Sequence, residues 1–191
     1  MLMELIDKII LGIDPGTMVM GYGLILQQGH KLSFIDMGVL NLRKELDPLM
    51  KLKNIHAEIE RLIAQYHPNC MAIESSFYGK NVQSLIKLGR AQGVAIAVAM
   101  KLNLEVFEYA PLRIKQSITG NGNASKEQVC DMLFRLLNLQ KEKPKYLDAT
   151  DALGAAFCHG LQNQTNLNRS GGKTSSSSWK NFLSQNPDRI K

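Results

Sequence analysis

Four acidic residues stand where a carboxylate is chemically informative. Asp14 closes the apolar run Ile-Leu-Gly-Ile, and Glu74 closes the apolar run Cys-Met-Ala-Ile. Asp148 and Asp151 lie three residues apart at the start of an apolar segment. Carboxylates beside a core are costly unless a positive charge neutralises them, and no run of Lys or Arg is interleaved with these segments. Because an all-oxygen cluster suits Mg²⁺ or Mn²⁺, the sequence predicts a divalent-metal site if the segments converge.

Each of these acids also has an ordinary structural interpretation. Asp14 precedes Pro15-Gly16 and could form a turn. Asp148 and Asp151 match a helix N-cap residue followed by an acid three positions later. Glu74 is harder to explain in this way, since a charge that ends a buried strand is unusual. The combination of three segments favours a shared site over independent structural roles.

The elements that must position these acids alternate between strands and helices. Apolar runs predict strands over 9–13, 21–28, 31–40, 70–74 and 105–109, while helical periodicity marks 48–67, 82–101, 111–117, 126–137 and 148–161. Three strands followed by strand–helix alternation predict an α/β fold, a mixed five-stranded sheet flanked by helices on both faces. Acids at strand ends lie where such sheets bind ligands.

Composition predicts one globular domain with a tail. The chain of 191 residues is 45% hydrophobic and 21% charged, and we expect a domain over 1–162. Residues 163–191 include four consecutive serines and five basic residues against one acidic residue, which is typical of a disordered basic tail. The net charge of +6 permits a polyanionic partner without establishing one.

Cysteine usage and hydropathy indicate a cytoplasmic protein. Cys70, Cys130 and Cys158 have no paired spacing, which favours buried thiols in a reducing compartment. The longest apolar run, 94–100, is too short to cross a bilayer.

A series of motifs occurs in order along the chain: Gly-Ile-Asp-Pro-Gly at 12–16, Ala-Ile-Glu at 72–74, Leu-Gly-Arg-Ala-Gln-Gly at 88–93, Gly-Asn-Gly-Asn-Ala-Ser-Lys at 120–126 and Asp-Ala-Thr-Asp-Ala at 148–152. Together they resemble the RuvC family of Holliday-junction resolvases, within the ribonuclease H-like superfamily. Matched motif to motif, the family's catalytic and metal-binding acids fall on Asp14, Glu74, Asp148 and Asp151. Some members carry His at the position of Asp148, so this chain has the all-acid version.

The resemblance implies a homodimeric endonuclease that nicks two opposed strands of a four-way DNA junction in recombination and repair. Two Mg²⁺ ions per site are expected, with Mn²⁺ as a substitute. The helix over 82–101 is the expected dimer element, because its small-residue face permits close approach; the sequence leaves open whether that face meets a partner or the sheet. A branch-migration complex of the RuvA and RuvB type is the expected partner.

DNA contacts are expected from basic and aromatic residues around the acids. Lys115 and Lys126 occupy positions where the family uses basic residues near phosphates, although they could also be solvated helix charges. Phe77 matches the family's wedge residue, and an aromatic ring there can stack on an unpaired base. The full set of expected DNA-binding residues is Phe77, Tyr78, Lys80, Asn81, Lys87, Arg90, Lys115 and Lys126.

Two other functions fit part of the pattern. An actin-like ATPase or sugar kinase also begins with a strand, an Asp and Gly-Thr, but it needs a second domain that 191 residues cannot supply. A non-catalytic junction-binding scaffold on the same fold would lack one of the acids, and none is missing here.

Overall fold

The computed structural model describes residues 7–75, 81–140 and 142–170, and for 163–170 it describes the helical backbone only. Over these residues the strands are β1 Lys8–Asp14, β2 Val19–Gln28, β3 Lys31–Asn41, β4 Cys70–Glu74 and β5 Glu105–Tyr109. The helices are α1 Pro48–Tyr66, α2 Val82–Lys101, α3 Pro111–Thr119, α4 Lys126–Leu136 and α5 Asp148–Ser170. The type and order of every predicted element are confirmed.

The largest difference from the sequence prediction is the length of α5. This helix was expected to end at Leu161, where the apolar pattern stops, but it continues to Ser170. Residues 163–170, predicted as the start of the tail, therefore extend α5. The rest of that predicted tail, 171–191, lies outside the described residues.

The five strands form one mixed sheet in the order β3-β2-β1-β4-β5. The first three strands pair antiparallel, as consecutive hairpin strands do. β4 joins β1 in parallel, and β5 joins β4 in parallel, because each is reached through a crossover helix. The carboxyl ends of β1, β4 and β5 therefore lie at the same edge of the sheet.

Helices cover both faces of the sheet, which confirms the predicted fold class. Ile10 and Ala72 point to one face and pack in a buried cluster with residues of α3, α4 and α5. Leu11 and Met71, their neighbours in sequence, point to the other face and pack against α1 and α2. Alternation along each strand thus divides the core into two layers.

Local capping signals fix where the helices begin. Asp47 caps α1 by accepting a hydrogen bond from the Leu49 backbone N–H at 2.9 Å. Ser125 and Gln128 form a capping box at the start of α4, so Lys126 is the first residue of that helix. This cap determines where the Lys126 side chain can reach.

The structure confirms that the three cysteines are buried. Its helices also bear on whether the chain could span a membrane. Cys70, Cys130 and Cys158 are buried free thiols. Of the helices that the structure describes, none combines the length and apolar character needed to span a membrane.

Candidate active site

Asp14 and Glu74 lie side by side because their strands are parallel neighbours. Ile13 of β1 is in register with Ile73 of β4, and each acid is the next residue of its strand. The strand ends therefore deliver both carboxylates to the same edge of the sheet, as the sequence predicted.

Close packing of α5 on β1 and β2 brings in the other two acids. Gly12, Gly21 and Gly23 lie so near this helix that a Cβ on any of them would overlap its backbone, at Ala152, Asp148 and Leu153 respectively. The missing side chains let the first turns of α5 lie directly on the sheet. Glycines inside strands are a signal of close backbone approach, a signal that the sequence interpretation did not use.

The result is a compact carboxylate cluster. One carboxylate oxygen from each of Asp14, Asp148 and Asp151 lies within 4.8 Å of the others. Glu74 is outside this group of three, but it lines the same cavity of about 390 Å³ as Asp14 and Asp148. The structure thus brings all four predicted acids to one site, with three of them in tight proximity.

Burial and mutual repulsion make negative charge unfavourable in this cluster. Burial raises the pKa of Asp14 well above its usual value, and the charges of Glu74 and Asp151 raise it further. Burial also raises the pKa of Glu74 to about 7, with a further contribution from Asp151. A cation bound among these oxygens would relieve both effects.

Lys126 supplies one positive charge to the cluster. Its Nζ donates to Asp151 Oδ2 and lies 3.9 Å from Asp148 Oδ1. Burial favours the neutral form of Lys126. The hydrogen bond to Asp151 and the charges of Asp151, Asp14 and Asp148 outweigh this effect, so the pKa of Lys126 is raised. The sequence argument that no run of Lys or Arg is interleaved with the acidic segments was therefore incomplete, since α4 brings Lys126, the last residue of the motif at 120–126, to the acids.

The donor set fits a hard divalent metal ion. Asp14, Asp148 and Asp151 lie at mutual ligand distance, and Glu74 lines the same cavity as Asp14 and Asp148. The negative charge that these carboxylates can carry exceeds the single positive charge of Lys126. All of the donors are oxygens, which Mg²⁺ and Mn²⁺ prefer over nitrogen or sulfur. Asp14, Asp148 and Asp151 are the residues that would hold such an ion, with Glu74 beside them.

The expected DNA-binding residues divide into four groups. Burial raises the pKa of Glu74 and Asp151, and the charge of Lys115 offsets part of this rise. Lys115 therefore joins Lys126 near the acids. Lys87 and Arg90 instead line an adjacent groove of about 180 Å³.

Asn81 caps α2 through a hydrogen bond from the Gln83 N–H at 2.9 Å. The remaining three, Phe77, Tyr78 and Lys80, lie outside the described residues.

The sequence interpretation missed two residues beside the acids. Arg43, in the loop between β3 and α1, lines the acid cavity. The Arg43 guanidinium lies 5.4 Å from the centre of the Tyr146 ring, and Tyr146 stands two residues before Asp148. The signal was present in the basic pair Arg43-Lys44 after β3, but only the fold shows that this loop borders the cavity.

Comparisons with known proteins find relatives over most of the chain. Residues 10–159 match the family described as crossover junction endodeoxyribonuclease RuvC. A relative of that name from Cytophaga hutchinsonii is 55% identical over 186 residues, covering 97% of this chain and 90% of the relative. Its namesake from Bacteroides fragilis is 51% identical, covering 97% of each chain.

A solved structure shares the architecture as well. T. thermophilus RuvC in complex with Holliday junction substrate superposes with a TM-score of 0.76 at 27% identity, covering 83% of this chain and 96% of that one. The family match spans most of the chain and includes all four acids. The chain belongs to the RuvC family of crossover junction endodeoxyribonucleases.

Proposed function

We propose that this protein is a magnesium-dependent endonuclease that resolves four-way DNA junctions in recombination and repair by paired phosphodiester hydrolysis. The observation that carries the proposal is that Asp14, Asp148 and Asp151 lie within metal-ligand distance of one another, with Glu74 lining the same cavity as Asp14 and Asp148. Family membership supports the reaction, and the T. thermophilus relative, solved with a Holliday junction substrate, supports the substrate.

Each part of the site has a task in this reaction. Magnesium held by the carboxylates would activate water as the nucleophile and stabilise the leaving oxygen. Asp14 is fixed by its strand and the Asp148–Asp151 pair by α5, so the donors are positioned before substrate arrives. Lys126 orients Asp151 through its hydrogen bond, and with Lys115 it offsets the negative charge that a phosphate brings.

The non-catalytic scaffold is the less favoured reading of the same fold. A protein that only bound junctions would gain nothing from carboxylates held in proximity, because they repel phosphate. Here the cluster is complete and its carboxyl pKa values are raised by burial. Carboxyl groups with strongly raised pKa values are typical of a functional site.

The exposed face of α2 supports a homodimer. Ala91, Ala95, Val98 and Ala99 bury one side of this helix in the core. On the other side, Val82 is 68% exposed and Ile86 52%, and a Cβ on Gly89 or Gly93 would meet no atom of the described residues within 4 Å. The small-residue face therefore points away from the sheet. A second copy of α2 could approach it closely, and a two-fold dimer matches a junction with two equivalent cuts.

The dimer is tested by a charge placed on that face. Ile86→Glu should convert the protein to a monomer in sedimentation equilibrium, with little change in thermal stability, because Ile86 is outside the core. Lys53→Glu, an exposed substitution on α1, is the control and should leave the dimer intact. A wild-type monomer, or a dimeric Ile86→Glu variant, would contradict the assignment.

Other parts of the proposal rest on the resemblance. Phe77 is the proposed wedge, with Tyr78 and Lys80 as neighbouring DNA contacts. The proposal also includes a nuclease domain over 1–162 and a basic tail over 163–191. It further includes a branch-migration complex of the RuvA and RuvB type as partner, and a cytoplasmic location. The described buried thiols are consistent with a reducing compartment.

The proposed activity is tested with a synthetic mobile four-way junction, incubated with and without Mg²⁺ and resolved on a denaturing gel. We expect symmetric nicks in two opposed strands that require the metal. A linear duplex of the same sequence and the Asp14→Asn variant are the controls. Cutting of the duplex at the same rate, or cutting that persists in EDTA, would refute the proposal.

A further inference from the structure

A basic–aromatic patch, formed by Arg43, Lys145 and Tyr146, borders the acid cavity. Arg43 lines the cavity together with Asp14 and Glu74. Its guanidinium carbon lies 5.4 Å from the centre of the Tyr146 ring, and Lys145 Nζ lies 5.8 Å from the same point. One aromatic ring thus has two cations beside it, immediately before the helix that carries Asp148.

The patch is anchored to the end of β3 rather than loosely attached. The side chain of Asn41 accepts a hydrogen bond from the Arg43 N–H at 3.1 Å and donates one to the Tyr146 hydroxyl at 3.5 Å. Leu42, between them in sequence, is buried, and its N–H donates to the Met18 carbonyl at 2.9 Å. The Asn41–Tyr146 hydrogen bond therefore links the end of β3 to the segment that precedes Asp148.

The cations of the patch are not neutralised within the described chain. Lys126 and Lys143 each pair with an aspartate. Over the residues described, neither Arg43 nor Lys145 has a carboxylate within ion-pair distance, and both are exposed. A guanidinium that lies beside an aromatic ring loses less freedom when it binds a phosphate, and its planar fork fits two phosphate oxygens.

The patch and Lys115 lie toward opposite edges of the sheet, on either side of the acids. Lys115 is on α3, which follows β5 at one edge of the sheet, whereas Arg43 follows β3 at the other edge. The end of β3 is two strands from Asp14 at the end of β1, a distance of about 10 Å. A DNA strand whose reacting phosphate sits at the acids would therefore meet Lys115 on one side and this patch on the other.

We infer that Arg43 and Lys145, with the ring of Tyr146, bind the phosphate backbone of the cleaved DNA strand on the β3 side of the cut. This inference rests on the proposed nuclease function and names a second set of DNA contacts for it. Because these contacts are made to phosphates and not to base edges, the patch holds the strand in place without selecting a sequence. Its loss should weaken binding equally for all junction sequences.

The experiment measures junction affinity over a series of salt concentrations, in EDTA so that no strand is cut. Arg43→Gln should weaken binding about 5- to 10-fold and reduce the slope of log K against log salt by about 1, as the loss of one phosphate contact does. Tyr146→Leu should give a smaller loss, and Tyr146→Phe, which keeps the ring, should bind nearly as wild type.

Lys31→Gln is the matched control, because Lys31 is an exposed cation at the far end of the same strand. It should change neither affinity nor slope. Equal losses for Lys31→Gln and Arg43→Gln would overturn the inference. A loss of affinity in Arg43→Gln that leaves the salt slope unchanged, and that a lowered melting temperature accounts for, would overturn it as well.

The outcomes separate this inference from the function on which it rests. Wild-type protein that neither binds nor cuts the junction would overturn the proposed function. If the wild-type protein binds and cuts the junction while the Arg43→Gln variant keeps the wild-type affinity and salt slope, only the inference is overturned.

Discussion

Gly21 of β2 lies directly against the backbone carbonyl of Asp148, at a separation that leaves no room for a Cβ on the glycine. This contact sets how closely α5 approaches the sheet. It therefore sets the distance between the acids of α5 and Asp14, which is in register with Gly21 across the β1–β2 pair. A residue without a side chain thus determines the geometry of a charged cluster.

Gly21→Ala should displace the first turn of α5 and lower the free energy of unfolding by about 2–3 kcal/mol, the usual cost of overpacking against rigid backbone. Divalent-metal affinity should fall as well, because Asp148 and Asp151 move away from Asp14. Thermal melts and Mn²⁺ titration calorimetry measure the two effects. Gly89→Ala, where a Cβ meets no atom of the described residues within 4 Å, should be neutral or slightly stabilising. An unaltered melt for Gly21→Ala would show that α5 is held elsewhere.

Asp14→Asn or Asp151→Asn removes one carboxylate ligand at nearly constant volume. We expect junction cleavage to fall by about 100-fold or more, while junction binding persists or tightens because repulsion of phosphate is reduced. Single-turnover cleavage and an electrophoretic shift assay measure these separately. Cleavage at the wild-type rate in either variant would remove that residue from the metal site.

Lys126→Gln removes the only cation seen to pair with Asp151 in the described part of the chain. The carboxylate is mostly buried, whereas Lys126 is half exposed, so the loss in free energy of unfolding should be about 1–2 kcal/mol in EDTA. That corresponds to a melting temperature lower by about 3–6 °C for a domain of this size. Added Mn²⁺ should restore more stability to this variant than to wild type, because the ion replaces the missing charge. Equal metal-induced shifts in both proteins would contradict the pairing.

His159 should make the fold sensitive to acid. Its ring is 3% exposed, it packs on Phe107 with centroids 4.3 Å apart, and Nδ1 is 2.7 Å from the Tyr109 hydroxyl. Burial lowers the pKa of His159 to about 4 from an ordinary value of 6.5, with the charge of Lys8 contributing. Because the unfolded chain binds the proton first, stability present above pH 6.5 is lost as the pH falls toward 4.

Between pH 7 and pH 5 the loss from His159 should be about 2 kcal/mol. Glu74, whose pKa is raised to about 7, acts in the opposite direction, so the comparison needs a variant. Denaturant melts of His159→Asn, which keeps a group able to accept from Tyr109, should show a flatter decline with acid than wild type. Parallel declines in the two proteins would mean that other groups control acid stability.

The sequence by itself determined which acidic residues to expect together at one edge of the sheet. Asp14 and Glu74 each end an apolar run, and a strand buried on both faces is recognisable from such a run alone. The spacing of Asp148 and Asp151 places both in the first turn of a helix. The strand and helix order then predicted the mixed sheet, because parallel neighbours need crossover helices and consecutive antiparallel strands do not.

Only the tertiary structure decided how near those residues come and which cations join them. The approach of α5 depends on Gly12 and Gly21, whose effect exists only where the helix backbone crosses them. The pairing of Lys126 with Asp151 joins residues 25 positions apart, and the position of Arg43 beside the cavity follows from the strand order of the sheet. Periodicity reports which face of an element is buried, but contacts between distant segments arise from packing, which no local pattern encodes.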